Sequence, residues 1–424
     1  MKILQLGKFY PILGGVEKVM YDLMTGLSSM GVRCDMLCAA CDKEDVGDVQ
    51  LNELAKLMCV RSFAKIKATM MSPAMIFRMW KLRKEYDIVH VHHPDPMACL
   101  ALWLSGYKGK VVLHWHSDII KQKILLKFYQ PFQSWLIKRA DVIIGTTPVY
   151  LKASPWLKDV QEKKVCLPRG VVPLEVDDEG AAALREKYKG KKIIFSLGRL
   201  VPYKGYKYLI DSARYLDDDY VVLIGGGGPL KASLSEQIVN SGLQDKVKLL
   251  GFLSDDEVAA YFGACDLFCM SSVYATEAFG IVQIEAMSAG KPVVATKIPG
   301  SGVSWVNAHK ESGINVEPKD SEALAGAFKR ILESEDTYNA YSEQASQRYW
   351  DMFTKSKMIE KCIEIYKTIT YEEIDYDACL CGAMRLYYIG TKNYAASDNI
   401  CQDDKGQSYG DNLATGEGLY LLQG

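Results

Sequence analysis

The feature that constrains this chain most is a series of short, β-branched apolar runs separated by helical patterns, and the series runs through twice. The first set comprises Ile3–Leu6, Met36–Cys38, Ile88–Val91, Val111–Leu113 and Val142–Ile144, with helical stretches such as Glu17–Met30 between them. After Val165–Val172 and a turn around Pro173, the pattern restarts at Ile193–Leu197, Val221–Ile224 and Val247–Leu250. It continues through Leu267–Cys269, Val293–Ala295 and Ile314–Val316. Continuous apolar runs belong to strands buried on both faces, and such strands occur in parallel sheets flanked by helices. At 424 residues the chain exceeds one hydrophobic core. The expected architecture is α/β, with two Rossmann-like, doubly wound domains facing across a cleft. Residues 1–172 form the first domain, 173–350 the second, and 351–370 a C-terminal helix returning towards the first. Residues 371–424 carry nine acidic and three basic residues without clear periodicity. They read as an irregular or partly disordered tail, to which Leu386–Ile389 or Leu419–Leu422 could add a strand.

Composition narrows the class. The twelve cysteines form no paired framework. Cys34, Cys38 and Cys41 come closest to metal-ligand spacing, but no second ligand pair follows, so reduced structural thiols are expected. No apolar run reaches the roughly 18 residues of a membrane span. The opening MKILQLGKFYPILGG lacks a long apolar region and a small-residue cleavage site, and reads as a first strand of a cytoplasmic protein. Charge is unevenly divided. Residues 1–172 hold 25 Lys and Arg against 15 Asp and Glu, whereas the remainder holds 26 against 37. The stretch from Arg61 to Lys84 has seven basic residues and no acidic one, interleaved with Met70, Met71, Ile76, Phe77, Met79 and Trp80. Basic helices studded with apolar side chains suit peripheral docking on an anionic membrane.

Four constellations carry chemistry. The segment 271–296 contains Glu277 in a loop after the strand Leu267–Cys269, and Glu285 within a helix over Gly280–Ala289. The amides of Phe279, Gly280 and Ile281 fall at that helix N-terminus, where an anion or sugar oxygens can be bound. Carboxylates accept two directional hydrogen bonds from a vicinal diol. Beyond the strand Ile193–Leu197, Arg199 and Lys204 can straddle a diphosphate and stabilise it as a leaving group without a metal. Gly14 and Gly15, between first strand and first helix, let backbone amides approach a phosphate closely. The fourth lies at 113–118, where His116 follows a strand, with Asp118 and Lys121 as possible acceptor-side residues. His90, His92, His93 and His114 read as core or surface groups. Gly225–Gly228 fails as a dinucleotide fingerprint, since Leu230 stands where glycine is required. Asp217 and Asp219 precede a strand, the wrong end for ligand binding, and read as a solvated turn.

Segment 271–296 resembles the Glu-x7-Glu signature of the retaining GT4 glycosyltransferases, whose fold is GT-B, and Gly198-Arg199-Leu200-x3-Lys204-Gly205 resembles the same family. The resemblance spans roughly residues 1–370. It implies that Glu277 contacts the transferred hexose, Glu285 the nucleotide ribose, Arg199, Lys204 and Gly15 the diphosphate, and that His116 lies beside the donor sugar. Val91–Pro96 and His116–Lys123 look like bacterial mannosyltransferases that build O-antigen or capsule repeats. That implies GDP-mannose as donor and a polyprenyl-diphosphate-linked glycan as acceptor, with no cofactor, no metal and no nucleic acid. The expected setting is the inner face of the cytoplasmic membrane. No carboxylate nucleophile stands out in the first domain, so double displacement is not supported. A UDP-sugar-dependent GT4 transferase, a nucleotide-sugar 2-epimerase of the same architecture and a non-catalytic binding protein remain alternatives.

Overall fold

The computed structural model describes residues 1–12, 14–66, 69–119 and 123–371; Leu13, Lys121 and the tail beyond residue 371 lie outside the described residues. The first half opens with β1 (Lys2–Tyr10), α1 (Gly15–Ser29) and β2 (Arg33–Ala40). There follow β3 (Gly47–Asn52), β4 (Ala55–Val60), β5 (Ala64–Ile66), β6 (Thr69–Met71) and α2 (Pro73–Leu82). It is completed by β7 (Ile88–His93), α3 (Pro96–Ser105), β8 (Lys110–Trp115), α4 (Lys123–Arg139), β9 (Val142–Gly145), α5 (Pro148–Ala153) and β10 (Lys164–Cys166). Three helices start by one device, a side-chain cap followed by proline. Ser72, Asp95 and Thr147 accept backbone amides at the heads of α2, α3 and α5, and Pro73, Pro96 and Pro148 follow them. The cap satisfies an orphan donor and proline presets the helical φ.

The second half comprises α6 (Asp178–Lys187), β11 (Lys192–Leu197), α7 (Tyr206–Ser212), β12 (Tyr220–Gly225), α8 (Lys231–Asn240) and β13 (Val247–Gly251). Then come α9 (Asp255–Ala264), β14 (Leu267–Met270), α10 (Ile281–Ser288), β15 (Val293–Thr296), α11 (Val303–Val306) and β16 (Gly313–Val316). Three helices close the fold: α12 (Ser321–Leu332), α13 (Glu335–Met352) and α14 (Lys355–Tyr371).

The strands form two separate large sheets within one compact unit of residues 1–372. The eight-stranded sheet runs β10-β9-β8-β7-β1-β2-β4-β3, parallel except where β3 pairs with β4. The six-stranded sheet, β13-β12-β11-β14-β15-β16, is parallel throughout. The chain is therefore α/β with the two doubly wound sheets that the repeated apolar runs implied. Each sheet has an apolar layer on both faces, which is why its strands lack alternation. The stretch Val165–Val172 is only partly a strand: Pro168 and Gly170 interrupt it, leaving β10 and a single bridge from Val171 to Thr354. β3 to β6 were not anticipated.

Two crossings join the halves. The first passes through residues 167–174 and the second through 352–355, and they lie side by side. Val171 donates to the Phe353 carbonyl at 2.9 Å, and its own carbonyl accepts from Lys355 N at 3.0 Å and Tyr349 Oη at 2.9 Å. α13 packs in the second half, whereas α14 buries Met358, Ile359, Cys362, Ile365 and Tyr366 against α1 in the first. Ile359 is fully enclosed there, its Cδ1 directly over Gly26. Ile359→Ala should therefore cost roughly 2–5 kcal/mol, read as a lowered urea midpoint, whereas Ile359→Val should cost less than half of that.

Candidate active site

Ligands of open α/β sheets collect where strand order reverses, beyond the carboxyl ends of the strands. In the second sheet that point lies between β11 and β14. The loop after β11 carries Arg199 and Lys204, and the loop after β14 carries Glu277. Lys204 Nζ lies 2.7 Å from Glu277 Oε2, with the two side chains 12% and 13% exposed. Ser272 Oγ donates to the same carboxylate oxygen at 3.2 Å, and Arg199 is exposed. The two residues assigned above to diphosphate and hexose thus meet as an ion pair.

Backbone geometry sets this approach. Gly205, at φ 69°, sits so close to the Ser271 carbonyl that a Cβ would lie 2.1 Å from it. The loop over 198–200 is braced in turn by the glycine run after β12. Gly198 N donates to Gly225 O at 3.0 Å and Leu200 N to Gly227 O at 2.9 Å, and a Cβ on Gly226 would lie 2.0 Å from Gly198 O. The Gly225–Gly228 run is therefore a brace for the Arg199 loop.

Gly280 is the N-cap of α10, which starts at Ile281, one residue later than read from the sequence. The amides of Phe279, Gly280 and Ile281 donate to no group among the described residues. Phe279 is buried, edge-on to Phe353. Glu285 follows on α10; burial raises its carboxyl pKa, opposed by the nearby Arg169 guanidinium.

Arg169 is a residue the motifs did not single out. It follows β10, is half-buried, and has Glu285, Asp22 and Glu17 as its charged neighbours, with no hydrogen bond or ion pair within 4.0 Å among the described residues. Its Nη1 would lie 3.1 Å from a Cβ on Gly15, so Gly15 leaves room for this cation at the head of α1. The only sequence signal was a cation between Pro168 and Gly170, at the expected domain junction.

On the first sheet the reversal falls between β1 and β7. Lys8, at φ 57°, is held at the end of β1 by Asp95, which accepts its amide, and by the Pro94 carbonyl, 2.6 Å from Nζ. His116 extends past β8, half-buried, its ring stacked 4.0 Å from His114. Asp118 is committed elsewhere: it accepts from Trp115 Nε1 at 2.9 Å and Ser154 Oγ at 2.8 Å, while its amide donates to Tyr150 Oη. It fastens this loop to α5 rather than standing open to an acceptor. Asp217 and Asp219, at the opposite edge of the second sheet, pair with Lys329 and Lys192.

His90, His92 and His114 bring ring nitrogens within 4.8 Å of one another, a spacing compatible with a metal. Their rings, however, are stacked within 12–30° of parallel, so in-plane lone pairs cannot converge on one point. Both His92 nitrogens are also already hydrogen-bonded, to His116 and Gln5.

Gly205→Ala should drive the 199–204 and 271–277 loops apart, lowering stability by about 1–3 kcal/mol or more and releasing Lys204 from Glu277. Gly242→Ala, at φ 66° in open space, is the control. Thermal melts should show the larger loss at Gly205, and equal losses would remove the argument for close loop approach.

Comparison with known proteins agrees with this arrangement. A model described as Glycosyltransferase Family 4 matches residues 13–172, and one described as Glycosyl transferases group 1 matches residues 181–348. The chain is 32% identical to O-antigen chain mannosyltransferase C of Escherichia coli, over 87% of this chain and 99% of that one. It is 29% identical to a D-rhamnosyltransferase of Pseudomonas aeruginosa, over 84% and 92%. In fold it is similar to a crystal structure of Anabaena HepE in complex with UDP, with a TM-score of 0.70 at 20% identity, covering 87% of this chain and all of that one. With the two family models meeting at the junction between the sheets, the chain belongs to the family 4 glycosyltransferases of GT-B fold.

Proposed function

We propose that this chain transfers mannose from GDP-mannose, with retention of configuration and without a metal, to a polyprenyl-diphosphate-linked glycan in cell-surface polysaccharide synthesis. The observation that carries the reading is the Lys204–Glu277 pair at the strand-order reversal, with Arg199 and Gly280 in the two loops that bear it. In the proposed reaction Arg199 and Lys204 hold the diphosphate, and Arg169, beside Gly15, adds a third cation. Glu277 and the amides of Phe279, Gly280 and Ile281 take sugar oxygens, and Glu285 takes the ribose diol. The bond from the anomeric carbon to the diphosphate breaks while an acceptor hydroxyl bonds to the same face, its proton passing to the departing phosphate oxygen. Fixed cations placed where negative charge develops stabilise this step. Likeness to the Escherichia coli mannosyltransferase supports the choice of mannose and of a glycan acceptor.

The test presents purified full-length protein with GDP-mannose, UDP-glucose, UDP-galactose and UDP-N-acetylglucosamine in EDTA. GDP-mannose alone should turn over, at a rate indifferent to chelation, and Glu277→Gln should lower kcat about 10²-fold or more. Turnover of a UDP-sugar would reassign the donor. Loss of activity in EDTA would overturn metal independence. Inversion at carbon 2 without acceptor would favour the epimerase.

The proposal includes peripheral attachment to the inner face of the cytoplasmic membrane. No described helix is long and apolar enough to cross one. Helix α2 buries Met75, Met79 and Leu82 yet leaves Phe77 71% and Trp80 48% exposed, with Lys81 and Arg83 beside them. Exposed rings among cations suit an anionic headgroup layer, each cation contributing about 1 kcal/mol. In co-sedimentation, phosphatidylglycerol vesicles should retain the protein and phosphatidylcholine vesicles should not. The double variant Phe77→Ser, Trp80→Ser should reduce retention several-fold. Unchanged retention in that variant would remove α2 from the contact.

A further inference from the structure

Behind His116 runs an unbroken, buried chain of hydrogen bonds. His116 Nε2 lies 2.9 Å from His92 Nδ1, and His92 Nε2 lies 2.7 Å from Gln5 Oε1. Gln5 Nε2 donates to Tyr366 Oη at 3.3 Å, and that hydroxyl lies 2.6 Å from His90 Nδ1. Gln5, His90, His92 and Tyr366 are completely enclosed. The chain thus links β1, β7 and helix α14 to the one histidine of the cluster that is half-exposed. Strand periodicity explains the placement, because His90 and His92 share the face of β7 that α14 covers.

The donors and acceptors fix one another. An amide oxygen only accepts, so His92 Nε2 carries a proton, and a neutral imidazole has only one N–H. His92 Nδ1 is therefore a bare acceptor, and the proton shared with His116 sits on His116 Nε2. Burial keeps these rings neutral, lowering the pKa of His90, His92 and His116 well below the usual value and that of His114 to about 3. At the other end the Tyr366 hydroxyl accepts from Gln5 Nε2, which holds the amide with its oxygen towards His92. His116 Nδ1, by contrast, has no hydrogen-bond partner among the described residues. Stacking on His114, with 16° between the planes, holds the ring orientation.

We propose that Gln5, His92 and Tyr366 are positioning residues that lock His116 as its Nε2–H tautomer, leaving Nδ1 as a hydrogen-bond acceptor for a hydroxyl of the transferred sugar. The role of the sugar rests on the reading of His116 given above; the tautomer does not. A ring locked in this state discriminates by chemistry. It accepts from a hydroxyl, offers nothing to a carbonyl or an ether oxygen, and supplies no proton to a leaving group. The C-terminal helix becomes part of the site through one hydroxyl, far from any substrate.

The test has a spectroscopic and a kinetic arm, both on the full chain. Long-range proton–nitrogen spectra of ¹⁵N-histidine-labelled protein, with His116→Gln identifying the signal, should show His116 Nδ1 unprotonated and Nε2 protonated without any ligand. In Tyr366→Phe, which keeps the buried ring and loses only the hydroxyl, the two tautomers should mix. His92→Leu should lower kcat roughly tenfold, the scale of one lost hydrogen bond, with the donor KM little changed. His92→Asn, whose amide oxygen can replace Nδ1, should recover part of that loss. A merely structural role would lower melting temperature without moving the tautomer signal or separating Asn from Leu. A protonated Nδ1 in the native protein, or equal kcat for the Asn and Leu variants, overturns the proposal. Because the spectrum is read on free protein, a wrong donor assignment leaves the tautomer result standing and fails only in turnover.

Discussion

Successive parallel strands can be joined only by a return along the sheet, so every carboxyl end lies on the same edge. That constraint gathers the residues of interest here. Glu277 lies far in sequence from Arg199 and Lys204, yet all three sit one loop beyond a strand of the second sheet. On the first sheet Lys8 lies near the end of β1, and Asp95 and His116 just beyond β7 and β8. The loops are held by backbone contacts too tight for side chains, at Gly205 and Gly226. Position therefore comes from strand order, and fine adjustment from glycine.

The charges so gathered answer one another. Breaking a largely buried ion pair by removing one partner costs about 3–5 kcal/mol, so whatever displaces Lys204 from Glu277 must serve both. A free phosphate satisfies the lysine and leaves the carboxylate alone. A phosphate ester of a polyol offers anion to one and hydroxyls to the other in a single molecule. The pair thus sets a requirement for bifunctional ligands before any shape is considered.

The fold was legible because its strands are covered on both faces, and burial writes itself as continuous Val and Ile. β3 escaped because Gly47–Asn52 is exposed along its length and pairs antiparallel at the sheet edge. β5 and β6 span only three residues each. Strand-end positions of Glu277, Arg199, Lys204 and His116 could be read from local pattern alone. Arg169 could not, since only the folded chain brings it beside Gly15 and Glu285. Nor could the link from His116 to Tyr366: period-two spacing put His90 and His92 on one face, but the register between β7 and β8 and the docking of α14 are tertiary facts. Asp118 misled for the opposite reason, as its place after a strand suggested exposure while Trp115 and Ser154 had already claimed it.

The chain passes between its two sheets twice, and those passages are hydrogen-bonded to each other through Val171, which bonds to Phe353 and Lys355 on either side of Thr354. Gly170 is pressed so closely on the Thr354 carbonyl that a Cβ would lie 2.3 Å from it. A single tether would act as a swivel, free to turn in any direction. Two tethers laced together behave as a strap hinge: twisting one half against the other would tear the lacing, whereas folding across it leaves every one of those bonds intact.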